Sequence, residues 1–191
     1  MSSSIIVKET TISSESVYEG TILNLRKDKV NVRDGRTSYR EIVEHNGGVV
    51  ILGLTREGRI PMIRQYRKAA EQTMFELPAG RLEKGEDPEA AALRELREET
   101  GYTAGDIQSI ASFYPTVGYS EEVLHVFFAK GLSSGETDFD ENESILIEEY
   151  TPDELYELIS AGEINDGKTL IALLLFRYHT ETPGALDASD K

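Results

Sequence analysis

A row of carboxylates follows a helical spacing in one short segment of the chain. Glu95, Glu98 and Glu99 are three and four residues apart, so in an α-helix they fall within about 100° of one another on a single face. Crowded like charges destabilise a helix and raise carboxylate pKa values unless cations compensate for them. Mg²⁺ is a suitable cation because it prefers hard oxygen ligands and also binds phosphates. The spacing therefore indicates a metal site.

The residues on either side of these carboxylates predict where the helix begins and ends. Asp87 is a residue type that caps helix N-termini, and Pro88 fits the first helical position. Gly101 suits the left-handed conformation in which many helices end. A helix of about 13 residues is therefore expected between Asp87 and Gly101.

A fixed pattern of Gly, Glu and Arg surrounds this helix. Its specified residues are Gly80, Glu86, Arg94, Glu95, Leu96, Glu98, Glu99, Gly101 and Tyr102. At about 7% usage for each Gly, Glu and Arg position, chance produces this pattern in such a chain on the order of once in a million. A solvated acidic helix face is the usual explanation for a Glu-Glu pair, but it requires no such pattern. The segment resembles the Nudix box and matches it at every position.

The resemblance implies the Nudix fold and a hydrolase. The fold belongs to the α/β (α+β) class, with a mixed β-sheet sandwiched between helices. The implied reaction is attack of a metal-activated water on the pyrophosphate of a nucleoside diphosphate that is linked to another group. The expected cofactor is Mg²⁺ or Mn²⁺, with roughly two or three ions per site.

The resemblance also implies roles for individual residues. Metal would be bound by three carboxylates and one main-chain carbonyl, those of Glu95, Glu98, Glu99 and Ala79. Arg94 and Glu86 would orient these ligands. Among the box residues, Glu98 and Arg94 are the candidates for a direct part in catalysis.

Four further stretches resemble the ADP-ribose pyrophosphatase branch of this family. They lie at residues 40–45, 64–67, 75–80 and 166–169, and the whole resemblance extends over roughly residues 17–178. It implies that Arg40 and Arg67 hold the diphosphate, a role that suits the paired donors of a guanidinium group. Tyr18 is expected either to stack on the base or to fill a dimer interface. The expected substrate is ADP-ribose, which would yield AMP and ribose 5-phosphate.

The loop at residues 114–122 resembles the stretch that supplies a mobile catalytic carboxylate in this branch. Alignment on Gly118 favours Glu122 over Glu121 for that role. One position departs from the pattern: the proline that marks ADP-ribose hydrolases corresponds here to Val117. Pro115 could replace its stiffening effect through its fixed φ. The reaction class therefore follows more directly from the sequence than the substrate does.

Two other functions stay open at this point. The first is hydrolysis of another nucleoside diphosphate sugar, such as GDP-mannose, through the same box with different base and sugar contacts. The second is a ligand sensor that has kept the fold and lost turnover. The three crowded carboxylates argue against a sensor, because binding alone does not require them. Which phosphorus is attacked is also left open.

Alternating and apolar segments predict the elements that must position these residues. Apolar runs at 49–52 and 60–66, with a turn at Glu57-Gly58, predict a central hairpin in which Pro61 lies at an edge or bulge. Further strands are expected at residues 107–114, 123–129 and 145–150, and helices at residues 88–100, 152–161 and 167–179. Strands and helices in this order indicate layers of both.

The N-terminal region has a weaker β pattern. After a loose terminus of about 14 residues, segments 17–32 and 37–45 predict a small β-hairpin. So small a unit needs another surface to cover it, and in the resembling branch N-terminal strands exchange across a homodimer. We therefore expect a homodimer. The predicted division is an N-terminal dimerisation region at 1–45, a Nudix hydrolase domain at 46–180 and a disordered tail at 181–191.

Composition excludes several other functions. The net charge is −15, from 20 basic and 35 acidic residues, so the long-range field repels nucleic-acid backbones. The chain has no cysteine, which excludes disulfides and thiolate metal sites, and its three histidines lack zinc spacing. No apolar stretch approaches the ~20 residues of a membrane span, and the polar start does not resemble a signal peptide. We expect a cytoplasmic protein that binds neither membrane nor nucleic acid.

Overall fold

The computed structural model describes residues 6–138 and 144–182. The predicted tail at 181–191 lies outside the described residues from position 183 onward. The described residues form two compact units, which we call the N-terminal unit (within Met1–Asn46, with Thr116–Glu122) and the main unit (Gly47–Pro115, with the described part of Val123–Lys191). The predicted division at residues 45 and 46 stays a prediction.

The N-terminal unit contains a three-stranded antiparallel sheet. Its strands are β1 (Thr10–Glu19), β2 (Asn24–Asn31) and β3 (Thr37–Glu44), in the order β1-β2-β3. The hairpin of β2 and β3 turns through Asp34 and Gly35, both in the left-handed region with φ of 65° and 70°. A loose terminus was expected where β1 begins, and this expectation is wrong from Thr10 onward. Strand β1 is exposed along its whole length. Main-chain hydrogen bonds to β2 keep it in place, and its sequence lacks the apolar alternation that would predict a strand.

The main unit combines nine strands and three helices among its described residues. The strands are β4 (Gly48–Leu54), β5 (Ile60–Arg67), β6 (Gln72–Glu76), β7 (Ala79–Arg81), β8 (Tyr102–Thr103), β9 (Asp106–Phe113), β10 (Leu124–Lys130), β11 (Ser133–Ser134) and β12 (Ile145–Tyr150). The helices are α1 (Pro88–Thr100), α2 (Pro152–Ser160) and α3 (Gly167–Glu181). The sheets have the orders β7-β4-β10-β9, β12-β5-β6 and β11-β8. Because β4 and β10 run parallel while the other pairs are antiparallel, the expected mixed α+β class is confirmed.

The predicted central hairpin is wrong in its pairing. Strand β4 pairs with β7 and β10, whereas β5 pairs with β6 and β12 in a different sheet. Strand β4 is buried at six of its seven residues and β5 at its first four, and a continuous apolar run indicates burial without specifying a partner. Pro61 pairs only with Glu149 of β12, because β6 begins to pair at Ile63. The strand is therefore locally an edge at Pro61, as expected.

Alternate residues of β4 face opposite sides of its sheet. Val49 and Ile51 pack with Leu96 of α1, and Val50 packs with Leu173 of α3 in a second cluster. Each of these side chains is fully buried, a change worth about 1.5–3 kcal/mol per large apolar residue. The four-stranded sheet therefore lies between helices, and Leu96 fixes the rotation of α1. No helix in the described part of the chain is long and apolar enough to cross a membrane.

Candidate active site

Helix α1 begins and ends at the residues that its sequence predicts. The side chain of Asp87 accepts a hydrogen bond from the amide of Ala90 at 3.1 Å, and Pro88 is the first helical residue. Gly101 adopts φ of 72° and donates its N–H to the carbonyl of Arg97 at 2.8 Å. With both ends capped and one face packed on the sheet, α1 is a rigid support for the carboxylates.

Arg94 brings three of the predicted carboxylates together. Its Nε and Nη2 donate to the two oxygens of Glu86 at 3.0 and 3.1 Å. Its Nη1 donates to Glu95 at 2.7 Å and to Glu98 at 3.1 Å. The hydrogen bonds from Arg94, together with one from the amide of Glu83, hold the pKa of Glu86 below its ordinary value. One guanidinium therefore offsets the repulsion among these acids.

Glu95 lies directly against the main chain of Gly80. A β-carbon built on Gly80 would be 1.8 Å from the carboxyl carbon of Glu95 and 1.9 Å from one of its oxygens. The Glu95 side chain is only 14% exposed, so it has little room to move aside. The first glycine of the box is thus required by the position of this carboxylate.

Glu99 is the most buried of the three predicted metal-binding carboxylates. It is 4% exposed, and its Oε2 accepts a hydrogen bond from the amide of Ala79 at 2.8 Å. Ala79 begins β7 and pairs with Val50 of β4. The hydrogen bond joins α1 to β7, whose first residue, Ala79, carries the carbonyl predicted as the fourth metal ligand. The sequence pattern alone did not predict this hydrogen bond.

The donor set fits a hard divalent cation. Within residues 6–138 and 144–182, no three His, Asp or Glu side chains are arranged so that they could hold a metal ion, and the Glu95 and Glu98 carboxylates contact Arg94 instead. The donors are nonetheless oxygen atoms on one helix face, beside a glycine whose missing side chain leaves room for a carboxylate. Mg²⁺ and Mn²⁺ prefer oxygen donors of this kind.

Arg67 is held by a buried carboxylate that sequence analysis did not single out. Its Nε and Nη2 each donate to Glu76 at 2.8 Å, while 41% of the Arg67 side chain stays exposed. Burial raises the pKa of Glu76, but Arg67 and Lys168 outweigh that effect and hold the pKa below its ordinary value. The structure therefore places Arg67 in an ion-pair network of the main unit.

The stretch at residues 166–169 forms the N-terminus of α3 and contacts the same region. Asp166 caps the helix by accepting hydrogen bonds from the amide and the hydroxyl of Thr169 at 3.1 and 2.7 Å. Thr169 Oγ1 in turn accepts from the amide of Leu77 at 2.9 Å, and Lys168 donates to Glu76. An aspartate before a helical segment is a recognisable capping signal, whereas its long-range contacts had no local signal.

Arg40 and Tyr18 lie in the N-terminal unit. Arg40 pairs with Glu9, with 2.9 Å between Nε and Oε2, and 41% of its side chain is exposed. A cavity of about 490 Å³ beside it is lined by Arg33, Arg36 and Arg40 and by the single acid Glu9, so its lining carries net positive charge and would attract anions. Tyr18 is 58% exposed on β1, as either of its two expected roles requires.

The loop Thr116–Glu122 also belongs to the N-terminal unit, where Val43 holds it. The amide of Glu121 donates to the carbonyl of Val43 at 3.1 Å, and the Glu121 carboxylate accepts from Arg26 at 3.1 Å. The Glu122 carboxylate instead lies 3.5 Å from Nδ1 of His45. Glu121 is therefore engaged by an arginine, whereas Glu122 faces a histidine.

Known protein families match this chain in two consecutive segments. The description NUDIX domain matches residues 44–173, and Nucleoside diphosphate sugar hydrolase N-terminal domain matches residues 9–43. A solved structure of an ADP compounds hydrolase superposes with a TM-score of 0.84 at 21% identity, covering 96% of this chain and 100% of that chain. At this identity the superposition shows a shared fold.

Three relatives share more sequence. The chain is 43% identical over 169 residues to an ADP-ribose pyrophosphatase of Bacillus subtilis (strain 168), which covers 87% of this chain and 91% of that protein. It is 43% identical over 170 residues to a methanol dehydrogenase activator of Bacillus methanolicus, with 88% and 92% covered. A GDP-mannose pyrophosphatase of Escherichia coli (strain K12) is 31% identical over 157 residues, with 78% and 80% covered.

Proposed function

The chain belongs to the Nudix family, and we propose that it is a metal-dependent hydrolase of nucleoside diphosphate sugars that prefers ADP-ribose. The observation that carries the proposal is the arrangement around α1, where Arg94 gathers Glu86, Glu95 and Glu98 while Glu99 binds the amide of Ala79. The greater identity to an ADP-ribose pyrophosphatase than to a GDP-mannose pyrophosphatase supports ADP-ribose as the substrate.

The proposed reaction adds one water across the pyrophosphate bond. The water oxygen forms a bond to one phosphorus, the bridging P–O bond breaks, and the products are AMP and ribose 5-phosphate. When bound, Mg²⁺ supplies positive charge that lowers the pKa of water and stabilises the departing phosphate oxygen. The groups proposed to hold roughly two or three such ions are the carboxylates of Glu95, Glu98 and Glu99 and the carbonyl of Ala79.

Arg94 keeps these carboxylates oriented before a cation arrives. Its two hydrogen bonds to Glu86 fix the guanidinium, and the remaining nitrogen holds Glu95 and Glu98. Arg94 would stay attached to Glu86 if Glu95 and Glu98 turned from Arg94 to a cation. The arrangement thus limits the reorganisation that cation binding requires.

Glu122 is the proposed acceptor of the proton from the attacking water. Its carboxylate faces His45, whereas that of Glu121 is engaged by Arg26, and this difference supports the choice of Glu122. Arg40 and Arg67 are the proposed diphosphate contacts. The arginine-lined cavity beside Arg40 supports its role, and Tyr18 offers an exposed ring for the base.

We also propose that the protein is a homodimer formed through the N-terminal unit. Strand β1 lies at the edge of its sheet and is exposed throughout. On this strand about half of the surface of Ile12, Val17 and Tyr18 is exposed. Exposed edge strands with apolar residues favour pairing with other chains. A second copy of β1 would cover them. The cytoplasmic location expected from the sequence stays a prediction.

A substrate panel tests the proposed function. Purified protein with Mg²⁺ or Mn²⁺ is offered ADP-ribose, GDP-mannose, other nucleoside diphosphate sugars, dinucleotides and nucleoside triphosphates, and kcat/KM is ranked. ADP-ribose should rank first, and the Glu99→Gln variant should lose turnover on every substrate. A higher kcat/KM for GDP-mannose would favour the alternative sugar, while tight binding of ADP-ribose without turnover would favour a sensor.

A further inference from the structure

We infer that Lys168 and Thr169, at the start of α3, are positioning residues that brace the segment carrying the amide to which Glu99 is bound. The inference rests on the proposed roles of Glu99 and Ala79. Neither α3 residue belongs to the Nudix box. Both contact residues that lie about ninety positions earlier in the chain.

The braced segment is the place where the chain crosses from one sheet to another. Strand β6 belongs to the sheet β12-β5-β6, and β7 belongs to the sheet β7-β4-β10-β9. Leu77 and Pro78 lie between these strands, so strand pairing does not hold them on both sides. The carbonyl of Pro78 accepts a hydrogen bond from Ile51 of β4 at 2.9 Å, and the next amide, that of Ala79, binds Glu99.

Thr169 supplies the hydrogen bond that this crossover needs from α3. Its hydroxyl accepts from the amide of Leu77 at 2.9 Å and donates to Asp166 at 2.7 Å. Thr169 and Leu77 are both fully buried. Without the hydroxyl, a buried amide would lack its partner, which is costly enough to favour a shift of the segment.

Lys168 holds the residue just before the crossover. It donates to Oε2 of Glu76 and, at 2.9 Å, to Asp166, while Arg67 donates to both carboxylate oxygens of Glu76. Two cations and two carboxylates make this cluster neutral, and only 15% of the Lys168 side chain is exposed. Arg67 in the same cluster is 41% exposed, whereas Lys168 offers little surface to a ligand, so the geometry favours a positioning role for Lys168.

The contacts made by α3 therefore affect the position of Ala79, which binds Glu99. Crossover residues 76–79 are held by α3, by β4 through Ile51 and by α1 through Glu99. Loosening the α3 side would let Ala79 move relative to Glu99. Removal of groups that orient metal ligands typically weakens metal affinity or activity by about ten- to a hundred-fold.

Thr169→Val tests the inference, because it removes the hydroxyl with little change in volume. Thr169→Ser restores the hydroxyl, and Thr151→Val is the matched control. Thr151 lies at the N-terminus of α2, where its hydroxyl accepts from the amide of Glu154. In the described part of the chain it makes no hydrogen bond to the crossover. Each variant is assayed for Mn²⁺ affinity by electron paramagnetic resonance of the free ion, for kcat and KM, and for thermal unfolding.

We expect Thr169→Val to weaken Mn²⁺ binding and to lower kcat, each by about ten-fold or more, with little change in KM. Thr169→Ser should recover both, and Thr151→Val should lose thermal stability while keeping Mn²⁺ affinity and kcat. Unchanged Mn²⁺ binding in Thr169→Val, or an equal loss in Thr151→Val, would overturn the inference. If Thr169→Val does not fold, Lys168→Met and Lys168→Arg are compared by the same measurements. Lys168→Met should then lose Mn²⁺ affinity and kcat, and Lys168→Arg should keep more of both.

The Mn²⁺ measurement needs no substrate and so separates this inference from the proposed function. If the wild-type protein hydrolyses no member of the substrate panel, weaker Mn²⁺ binding by Thr169→Val still supports the brace. If ADP-ribose is hydrolysed and Thr169→Val binds Mn²⁺ as the wild type does, the brace is wrong and the proposed function stands.

Discussion

The carboxyl carbon of Glu95 lies 1.8 Å from the point where a β-carbon on Gly80 would be. The smallest side chain at position 80 would therefore displace Glu95. Gly80→Ala should lower kcat by about a hundred-fold, the effect expected when a reacting group moves by about 1 Å. The fold should persist, since Gly80 has an ordinary backbone conformation and α1 keeps its packing on the sheet.

Gly105→Ala is the matched control for this substitution. A β-carbon on Gly105 would come no closer than 3.4 Å to the carbonyl of Gly131, which is ordinary contact. Its kcat should equal that of the wild type. Steady-state kinetics and circular dichroism on both variants check the prediction, and a fully active Gly80→Ala would contradict the proposed position of Glu95.

The local parts of this molecule were the parts that sequence analysis predicted well. Helix α1 begins at Pro88 and ends at Thr100 as expected, because its caps and its carboxylate spacing all lie within one segment. Strand β1 was missed from residue 10 to residue 16 because its main-chain pairing leaves no apolar pattern, and its last three residues were assigned to the hairpin segment 17–32. The pairing of β4 was wrong because a strand buried on both faces carries no information about its neighbours.

The difference between local signals and long-range contacts also applies to the candidate site. The spacing of Glu95, Glu98 and Glu99 on one helix could be recognised directly. Glu76 and Thr169 could not, because each acts through a partner about ninety residues away. Such contacts depend on how α3 packs against the crossover between the sheets, and a single sequence does not specify that packing.

Glu99→Gln should fold and lose turnover by more than about a hundred-fold, because a neutral amide is a poor ligand for a divalent cation. The amide oxygen can still accept the hydrogen bond from Ala79, so the native structure should persist. In metal-free buffer the variant should be slightly more stable, since one of several crowded negative charges is removed.

Glu89→Gln is the control on the same helix, because Glu89 is exposed in the first turn. It should keep both kcat and metal dependence. Kinetics over a range of Mg²⁺ concentrations and thermal unfolding in a chelator check the pair. Near-normal kcat in Glu99→Gln would show that Glu99 does not bind a catalytic ion.

Glu122→Gln and Glu121→Gln should have different effects. Glu122→Gln should lower kcat by about a hundred-fold if Glu122 accepts the proton, with thermal stability close to that of the wild type. Glu121→Gln should chiefly lower stability, since it weakens the ion pair with Arg26. Kinetics and melting curves on both variants test the assignment, and the opposite pattern would identify Glu121 as the proton acceptor.

The ion pairs of Glu76 should make stability depend on pH. The pKa of Glu76 lies below its ordinary value of 4.5 in the folded protein. Its ion pairs therefore contribute fully above that pH, and the contribution is lost as the pH falls through the lower folded pKa. Glu76→Gln should destabilise the protein at neutral pH by about 3 kcal/mol, because Arg67 and Lys168 lose their buried partner.

Urea unfolding at a series of pH values measures this effect. The difference in unfolding free energy between the wild type and Glu76→Gln should stay constant down to about pH 4.5 and shrink as the pH is lowered further. Glu148→Gln is the control, because Glu148 pairs with Arg64 at a more exposed position and its loss should cost much less. A difference that does not change with pH would be inconsistent with ionised Glu76 as the source.

The proposed dimer predicts that a charge on β1 prevents assembly. Val17→Lys places a cation on an edge strand whose apolar residues are exposed, and charged residues on edge strands oppose pairing. Analytical ultracentrifugation should show a dimer for the wild type and a monomer for Val17→Lys. Ser13→Lys is a suitable control, since Ser13 is exposed on the same strand and the substitution adds the same charge without removing an apolar side chain. It should weaken the dimer less.

Mixing two impaired variants tests whether Arg40 acts in the site of the partner subunit. Arg40→Ala should mainly raise KM, because it removes binding shared by the ground and transition states, whereas Glu99→Gln should mainly lower kcat. If Arg40 reaches across the dimer, a mixed dimer contains one site with both native residues. After subunit exchange at equal concentrations, activity at low substrate should rise to about a quarter of the wild-type level, because half of the dimers are mixed. Activity that stays at the average of the two separate variants would show that Arg40 acts within its own subunit or not at all.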